Sequence, residues 1–298
     1  MLFAAFLLTT IILTILTLLP MWRYEAWWVR SLDFPRLQLF VVSLSVLLLE
    51  ALLLNLSHFA TWGLLIVVLS CLVYHAWWII PYTRVFPVEV KSAASTDSQR
   101  MIRIMTANVL TPNRNAKALI ELVREKVPDI IVTLESDLWW QAKLDILEPG
   151  YPYTIKCPLD NLYGMHVYSR LPLADSQIDY LVEPDIPSMH TLVTLPSGDK
   201  IRHHFLHPAP PSPTENEESS QRDAELIIVA KSVAETDTPV IVTGDLNDVA
   251  WSETTRLFRK ISGLLDPRIG RGMFNTCLLY TSDAADDWLV VFLSGGGG

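Results

Sequence analysis

Three apolar runs open the chain, at about Leu2 to Leu19, Leu37 to Leu54 and Trp62 to Ile80. Each approaches the roughly 20 residues that an α-helix needs to cross the hydrocarbon of a bilayer. Trp27, Trp28, Trp77, Trp78 and Tyr82 flank these runs, as aromatic residues do at the headgroup level. The first run lacks a basic leader and is longer than the apolar stretch of a signal peptide, so it reads as an anchor. Glu50 lies near the end of the second run, where snorkelling to the headgroups is the expected behaviour.

After Pro81 the pattern changes. Residues 86–100, with Ser and Ala at the centre, read as a linker. Beyond it strand and helix alternate. Ile102 to Thr106 reads as a strand, Asn115 to Lys126 as a helix with Leu119, Leu122 and Val123 on one face, and Asp129 to Leu134 as a strand after the break at Pro128. Gly164 to Ser169, Thr191 to Leu195 and Ile201 to Leu206 read as further strands, with a hairpin turn at Pro196 to Asp199. Gln221 to Glu235 forms an amphipathic helix that feeds the strand Val240 to Thr243, and a last helix is expected near Trp251 to Phe258. The chain thus divides into a membrane region (1–85), a linker (86–100) and a layered α/β domain (101–276).

Composition supports that division. Half of the 298 residues are hydrophobic and mean hydropathy is +0.30, too apolar for one soluble domain. The net charge of −9 comes from 23 basic and 32 acidic residues, of which residues 1–90 hold four of each. The imbalance therefore belongs to residues 91–298, where 19 basic face 28 acidic residues, and this acidic part has no general attraction for a nucleic-acid backbone. The three cysteines, Cys71, Cys157 and Cys277, form neither a disulfide framework nor a zinc site. Arg23, Arg30, Arg36, Arg84 and Lys91 fall on one side of the three spans, and the short loop Asn55 to Thr61 has no Lys or Arg. The positive-inside rule then puts the domain in the cytoplasm.

Candidate chemistry stands just beyond the apolar strands: Asn108, Glu135, His207, and the pair Asp245 and Asn247 in Gly244-Asp-Leu-Asn247. Strand ends of a layered α/β domain converge on one rim, so separate segments can deliver these groups to one pocket. A hard cation such as Mg²⁺ takes oxygen ligands, typically one or two carboxylates plus substrate phosphate; Glu135 is the first choice. Asn108 can support the metal shell, donate to a phosphate oxygen, or simply make an Asx-turn before Pro112. Asp245 can orient or deprotonate a water, and Asn247 can hold phosphate oxygens. His207 can bond a non-bridging oxygen or move a proton, while His203 and His204 fit structural roles better. Asp248 reads as the cap of the last helix, and the Pro-rich acidic stretch up to Ser220 as a solvated loop.

Thr106-Ala-Asn108, Asp129-Ile-Ile-Val-Thr-Leu-Glu135, Tyr163-Gly-Met-His-Val-Tyr-Ser-Arg-Leu-Pro-Leu173, Leu206-His207 and Gly244-Asp-Leu-Asn247 occur in the order expected of the endonuclease/exonuclease/phosphatase superfamily. The chain resembles its bacterial membrane-anchored members over roughly Arg103 to Thr276. The resemblance implies a four-layer α/β sandwich, two mixed sheets packed face to face with helices outside. It also implies Mg²⁺-dependent (or Mn²⁺-dependent) hydrolysis of a phosphoester by activated water. By motif match, Asn108 and Glu135 serve the metal end, His207 the phosphate, and Asp245 with Asn247 the nucleophile and phosphate. Tyr163-Gly164 and Ser169-Arg170 match scaffold. The implied substrate is a lipid headgroup, a small phosphodiester or nucleic acid at the inner membrane, the anchor and acidic domain favouring the first two; no protein partner is implied.

One departure stands out. The family ends its domain with an Asp-His pair, yet no histidine follows His207, and residues 277–298 resemble translated sequencing-adapter sequence ending in four glycines. This reads as a truncation that leaves a sheet edge exposed and a poorly active chain. The alternative is a non-catalytic membrane protein whose sandwich binds a phosphorylated ligand or a protein.

Overall fold

A computed structural model describes residues 1–92 and 97–272, together with the backbone of Phe292–Leu293. The motif end Phe274 to Thr276, Cys277, and the acids Asp283, Asp286 and Asp287 lie outside the described residues.

The N-terminal third is a three-helix bundle: α1 (Leu2–Leu18), α3 (Arg36–Leu53) and α4 (Phe59–Ile79), with the short α2 (Trp27–Arg30) in the first loop. Leu2–Trp22, Arg36–Leu53 and Phe59–Tyr82 are long and apolar enough to cross a membrane. Their interior is not wholly apolar. α3 buries Arg36, Ser43 and Glu50 at seven-residue spacing, between Leu39 and Val46. Thr10 donates to the Glu50 carboxylate at 2.8 Å, and Thr17 meets His75 Nε2 at 3.1 Å. The expectation for Glu50 is therefore corrected: it has no exposed surface and faces the other helices, where Thr10 is its partner, instead of reaching for the headgroups.

The α/β part is a two-sheet sandwich. Strands β1 (Ile104–Asn108), β2 (Ile130–Leu134), β3 (Tyr153–Cys157) and β4 (Met165–Ser169) form one sheet in the order β1-β2-β4-β3. Strands β5 (Leu173–Asp179), β6 (Ser188–Thr194), β7 (Lys200–Leu206), β8 (Val240–Gly244) and β9 (Phe292–Leu293) form the other, in that order. Both are mixed: β1 with β2 and β7 with β8 run parallel, and the other neighbours are antiparallel. The anticipated bare edge at β8 is covered at Ile241 and Val242, which pair with Leu293 and Phe292.

Alternation along the strands makes the layers. In β2, Ile130, Val132 and Leu134 meet Met189, Val193 and Phe205 of the second sheet. Ile131 turns outward to α5 (Ala116–Lys126) and α6 (Leu138–Leu144), against Leu119, Val123 and Trp140. Likewise Phe205 points between the sheets while Leu206 packs outward on α7 (Ser220–Ala234) and α8 (Glu253–Ser262), beside Leu226 and Phe258. A period of two residues thus feeds two cores from one strand. α5 starts where Asn115 accepts from the Ala118 N–H and stops at Val127 (φ 46°) before Pro128.

Two ties join domain to bundle. In the first loop, the Trp27 N–H donates to the Glu217 carbonyl at 2.9 Å, and the Ser219 N–H to the Glu25 carbonyl at 2.9 Å. Beyond β8, Trp251 Nε1 donates to the Asp33 carbonyl at 2.7 Å, and Tyr82 Oη to the Ala250 carbonyl at 2.8 Å. Residues 86–92 run along the domain, where Glu89 receives Arg259 at 2.6 Å and the Val90 carbonyl receives Arg271 at 2.7 Å.

Candidate active site

The register of the parallel pairs decides where the polar groups emerge. Asn108 lies beside Leu134 and Leu206 beside Gly244, so Glu135, His207 and Asp245 each leave their strands one residue past the last rung. Asn108 bridges the two sheets. Its Nδ2 donates to Glu135 Oε1 at 2.6 Å and lies 3.5 Å from Asp245 Oδ2. Its Oδ1 accepts the Leu110 N–H at 3.1 Å, so the Asx-turn and the site contact coexist in one side chain. His207 Nε2 is 3.9 Å from Glu135 Oε1. The four sequence-derived groups Asn108, Glu135, His207 and Asp245 are therefore together.

Asn247 is joined to them through the backbone: its N–H donates to Asp245 Oδ1 at 3.0 Å, and its Nδ2 donates to the Pro208 carbonyl at 2.8 Å. That second bond ties the turn after β8 to the turn after β7. Behind it the buried Arg222 donates to the Asn247 carbonyl at 2.8 Å and to Asp223 at 2.8 Å. Arg222 also lies 3.6 Å from Asp248. Asp248 accepts from Ser252 and from Thr255 at 3.1 Å, while Ser252 itself caps α8 by accepting the Thr255 N–H. Asp248 thus supports the cap rather than being it, because Ser252 is the residue directly before the helix.

Backbone strain gathers at the same rim. Glu135 (φ 56°), Leu110 (φ 54°) and Asn247 (φ 49°) are left-handed without being glycine, each at a cost of about 1–3 kcal/mol that the surrounding fold must offset. Gly244 has φ +148°, and a Cβ there would stand 1.7 Å from the Leu206 carbonyl oxygen, so only glycine lets β8 approach β7 closely enough to deliver Asp245.

Electrostatically the rim is acidic and largely buried. Burial pushes the Glu135 carboxyl up to about 7, opposed by the Asn108 bond and reinforced by Asp245 and Glu215. Its Oε2 is buried with no hydrogen-bond partner. Burial also lowers the His207 imidazole, against the pull of Asp245 and Glu215, and its Nδ1 likewise has no partner. Among the described residues no three His, Cys, Asp or Glu side chains converge as a ready metal cage. Even so, an unpartnered buried carboxylate oxygen beside a second carboxylate fits a hard cation, which keeps waters and needs only one or two carboxylates.

The sequence reading left out Tyr163 and Glu215. Tyr163 packs its ring 5.3 Å from that of His207 and donates its hydroxyl to Glu215, a residue from the stretch read as a solvated loop. The signal was present in Tyr163-Gly164: a Cβ on Gly164 would stand 2.1 Å from the Ser136 carbonyl oxygen, which holds Tyr163 close to the turn carrying Glu135. His203 and His204, read from the sequence as structural, are buried in the second sheet. His203 Nε2 meets Thr243 Oγ1 at 2.9 Å, and the Nδ1 atoms of His204 and His190 lie 2.6 Å apart.

Comparison with known proteins agrees with this architecture. Residues 105–294 match the model of the Endonuclease/Exonuclease/phosphatase family. Among solved structures, the chain is similar to D. rerio TDP2 complexed with single strand DNA product, with TM-score 0.51 and 19% identity over 65% of this chain and 83% of that one. It is also similar to truncated Caenorhabditis elegans TDP2, with TM-score 0.50 and 16% identity over 65% and 84%. At such identities the likeness is one of fold. No curated protein matches. With the family match spanning well over half its length, the chain belongs to the Endonuclease/Exonuclease/phosphatase family.

Proposed function

We propose that the protein is a membrane-anchored, divalent-cation-dependent phosphoester hydrolase of the inner membrane, with residues 101–276 as its catalytic domain on the cytoplasmic side. The observation that carries this reading is the buried, unpartnered Glu135 Oε2 held beside Asp245 by the two-way contact of Asn108.

Glu135 would hold the cation, Mg²⁺ or Mn²⁺. Asn108 would serve the same end by occupying Oε1 and leaving Oε2 as the free ligand atom. A bound divalent cation supplies Lewis acidity toward a phosphoryl oxygen and offsets charge that builds there. Asp245 aligns the attacking water and receives its proton at a carboxylate oxygen. His207 offers one ring nitrogen to a non-bridging phosphate oxygen, with Tyr163 fixing the ring. Asn247 fixes the turn that carries Asp245, and its remaining amide hydrogen is available to phosphate.

That no three His, Cys, Asp or Glu side chains converge among the described residues favours a second reading, a sandwich that binds a phosphorylated ligand without cleaving it. One assay separates the two. The full chain in nanodiscs is incubated with bis(p-nitrophenyl) phosphate and Mg²⁺, Mn²⁺ or chelator. Cation-dependent release that disappears in Asp245→Asn supports the hydrolase; release that is absent, or equal in that variant, sinks it.

A further inference from the structure

The two segments that form the rim on the second sheet are also the two that grip the bundle. Glu215, which receives the Tyr163 hydroxyl, is two residues from Glu217, which receives the Trp27 N–H. Asn247 is four residues from Trp251, which donates to the Asp33 carbonyl. An extended chain covers at most about 3.6 Å per residue, so these ties lie within roughly 7 Å and 14 Å of chain from the site. Asp33 in turn is three residues from Arg36, the first residue of a helix long and apolar enough to span.

The loop that makes the first tie also carries an aromatic cluster. The rings of Trp22 and Tyr24 lie 5.8 Å apart, and those of Tyr24 and Trp28 6.3 Å apart. These side chains are 71%, 50% and 45% exposed, although they are large and partly apolar. Aromatic side chains of this kind, at the end of a span, settle at headgroup level. The headgroup zone is only about 5–8 Å deep on each side of the hydrocarbon, and Trp28 is next to the residue bonded to Glu217. The rim residues are thus only a few residues of chain from the loop that carries the aromatic cluster.

From these observations we propose that the substrate is a bilayer-resident phosphoester, a phospholipid whose headgroup phosphate is taken from the membrane that anchors the chain. This rests on the hydrolase reading and narrows it. A lipid reaches the rim by lateral diffusion in a plane that already passes beside it. A nucleic acid approaches from water toward a domain in which 24 acidic residues outnumber 17 basic ones over residues 101–276, with repulsion in place of steering.

The test presents three substrates to the full chain in nanodiscs at equal total phosphoester and with Mg²⁺. These are phosphatidylglycerol and phosphatidylethanolamine in the disc, the matching glycerophosphodiesters free in solution, and a single-stranded oligonucleotide. The expected result is a kcat/KM for lipid at least tenfold above both soluble substrates. Trp251→Phe and Tyr82→Phe each remove one docking bond; the second keeps its ring, and the first exchanges the indole for a smaller phenyl. Each is expected to lower lipid turnover about fivefold while leaving the glycerophosphodiester within about twofold. Equal or faster turnover of the soluble diester or the oligonucleotide overturns the lipid assignment alone. No cation-dependent turnover of any substrate overturns the hydrolase reading and this one with it. A readout independent of activity is bimane on Ser212→Cys, with the other cysteines replaced by serine: headgroup spin-labelled lipid should quench it, and no quenching would place the rim away from the bilayer and refute the proposal.

Discussion

Two polar clusters in the domain share residue types and differ in what they can do. At the strand ends, Glu135, Asp245 and His207 meet across the two sheets. In mid-sheet, His190 and His204 face each other, with Asp179 3.8 Å from His190, beside a cavity of about 610 Å³ that also touches Arg202 and α7. The cavity is large, yet the mid-sheet histidines have partners: His190 meets both His204 and Ser188. At the rim a carboxylate oxygen and a ring nitrogen are left open side by side, on strained backbone. Buried unpartnered atoms also occur singly elsewhere, as at His203 Nδ1 and Glu225 Oε1, so it is their convergence with strain, rather than cavity size, that marks where chemistry is expected.

The largest effect that can break this comparison is on folding. Gly244→Ala should abolish the native domain, because its Cβ would collide with the Leu206 carbonyl. Gly198→Ala, at φ +88° with open space around it, should cost only about 1 kcal/mol; chemical denaturation of the two variants checks the contrast. Next is turnover. Asp245→Asn should lower kcat by about 10²–10⁴-fold, the range for a positioned general base, whereas His204→Asn should stay within about threefold. A comparable loss in both would erase the distinction between the clusters.

Glu135→Gln sharpens it further. The isostere keeps a carbonyl oxygen but loses the charge, so the cation concentration for half-maximal rate should rise roughly tenfold or more, in line with losses seen when ligand environments are altered. An unchanged cation dependence would remove Glu135 from the metal end. The smallest effect concerns pH. Burial, then His190 and Arg202, lowers the His204 imidazole from 6.5 to about 3. Between those values the unfolded chain binds the proton that the folded one refuses, so this contribution to stability is intact above pH 6.5 and is lost as pH falls toward 3. Thermal unfolding from pH 7 to pH 4 should show a shallower decline in His204→Asn than in the parent chain.

Much of this was legible in the sequence because strand ends are easy to find. Apolar runs followed by Asn108, Glu135, His207 and Asp245 identified four groups that the fold brings together. Boundaries moved by a residue or two, as at β1, where the pairing continues to Asn108 itself. The strands Tyr153–Cys157 and Leu173–Asp179 escaped notice for a physical reason. Much of each is exposed at its sheet edge, so neither carries a clean apolar period. Tyr163, Glu215 and Arg222 were missed because their importance is relational. A tyrosine against a histidine, an acid reaching back from a loop and an arginine beneath a turn leave no local pattern. Glu50 was misjudged because distance from the end of a run says nothing about which face of the helix it occupies.

That face has a consequence for the whole molecule. One residue turns an α-helix by about 100°, so a slip of α3 by a single position would carry Glu50 away from Thr10 and, in the proposed membrane setting, toward lipid, at a cost below the about 2.5–3.5 kcal/mol of a charge at the bilayer centre because Glu50 is near the end of α3. The Thr10–Glu50 and Thr17–His75 pairs each contribute only about 0.6 kcal/mol to association on average, yet together they act as a key in a slot. The bundle behaves less like a tether than like a mount with a fixed bearing, aiming one edge of the domain in one compass direction.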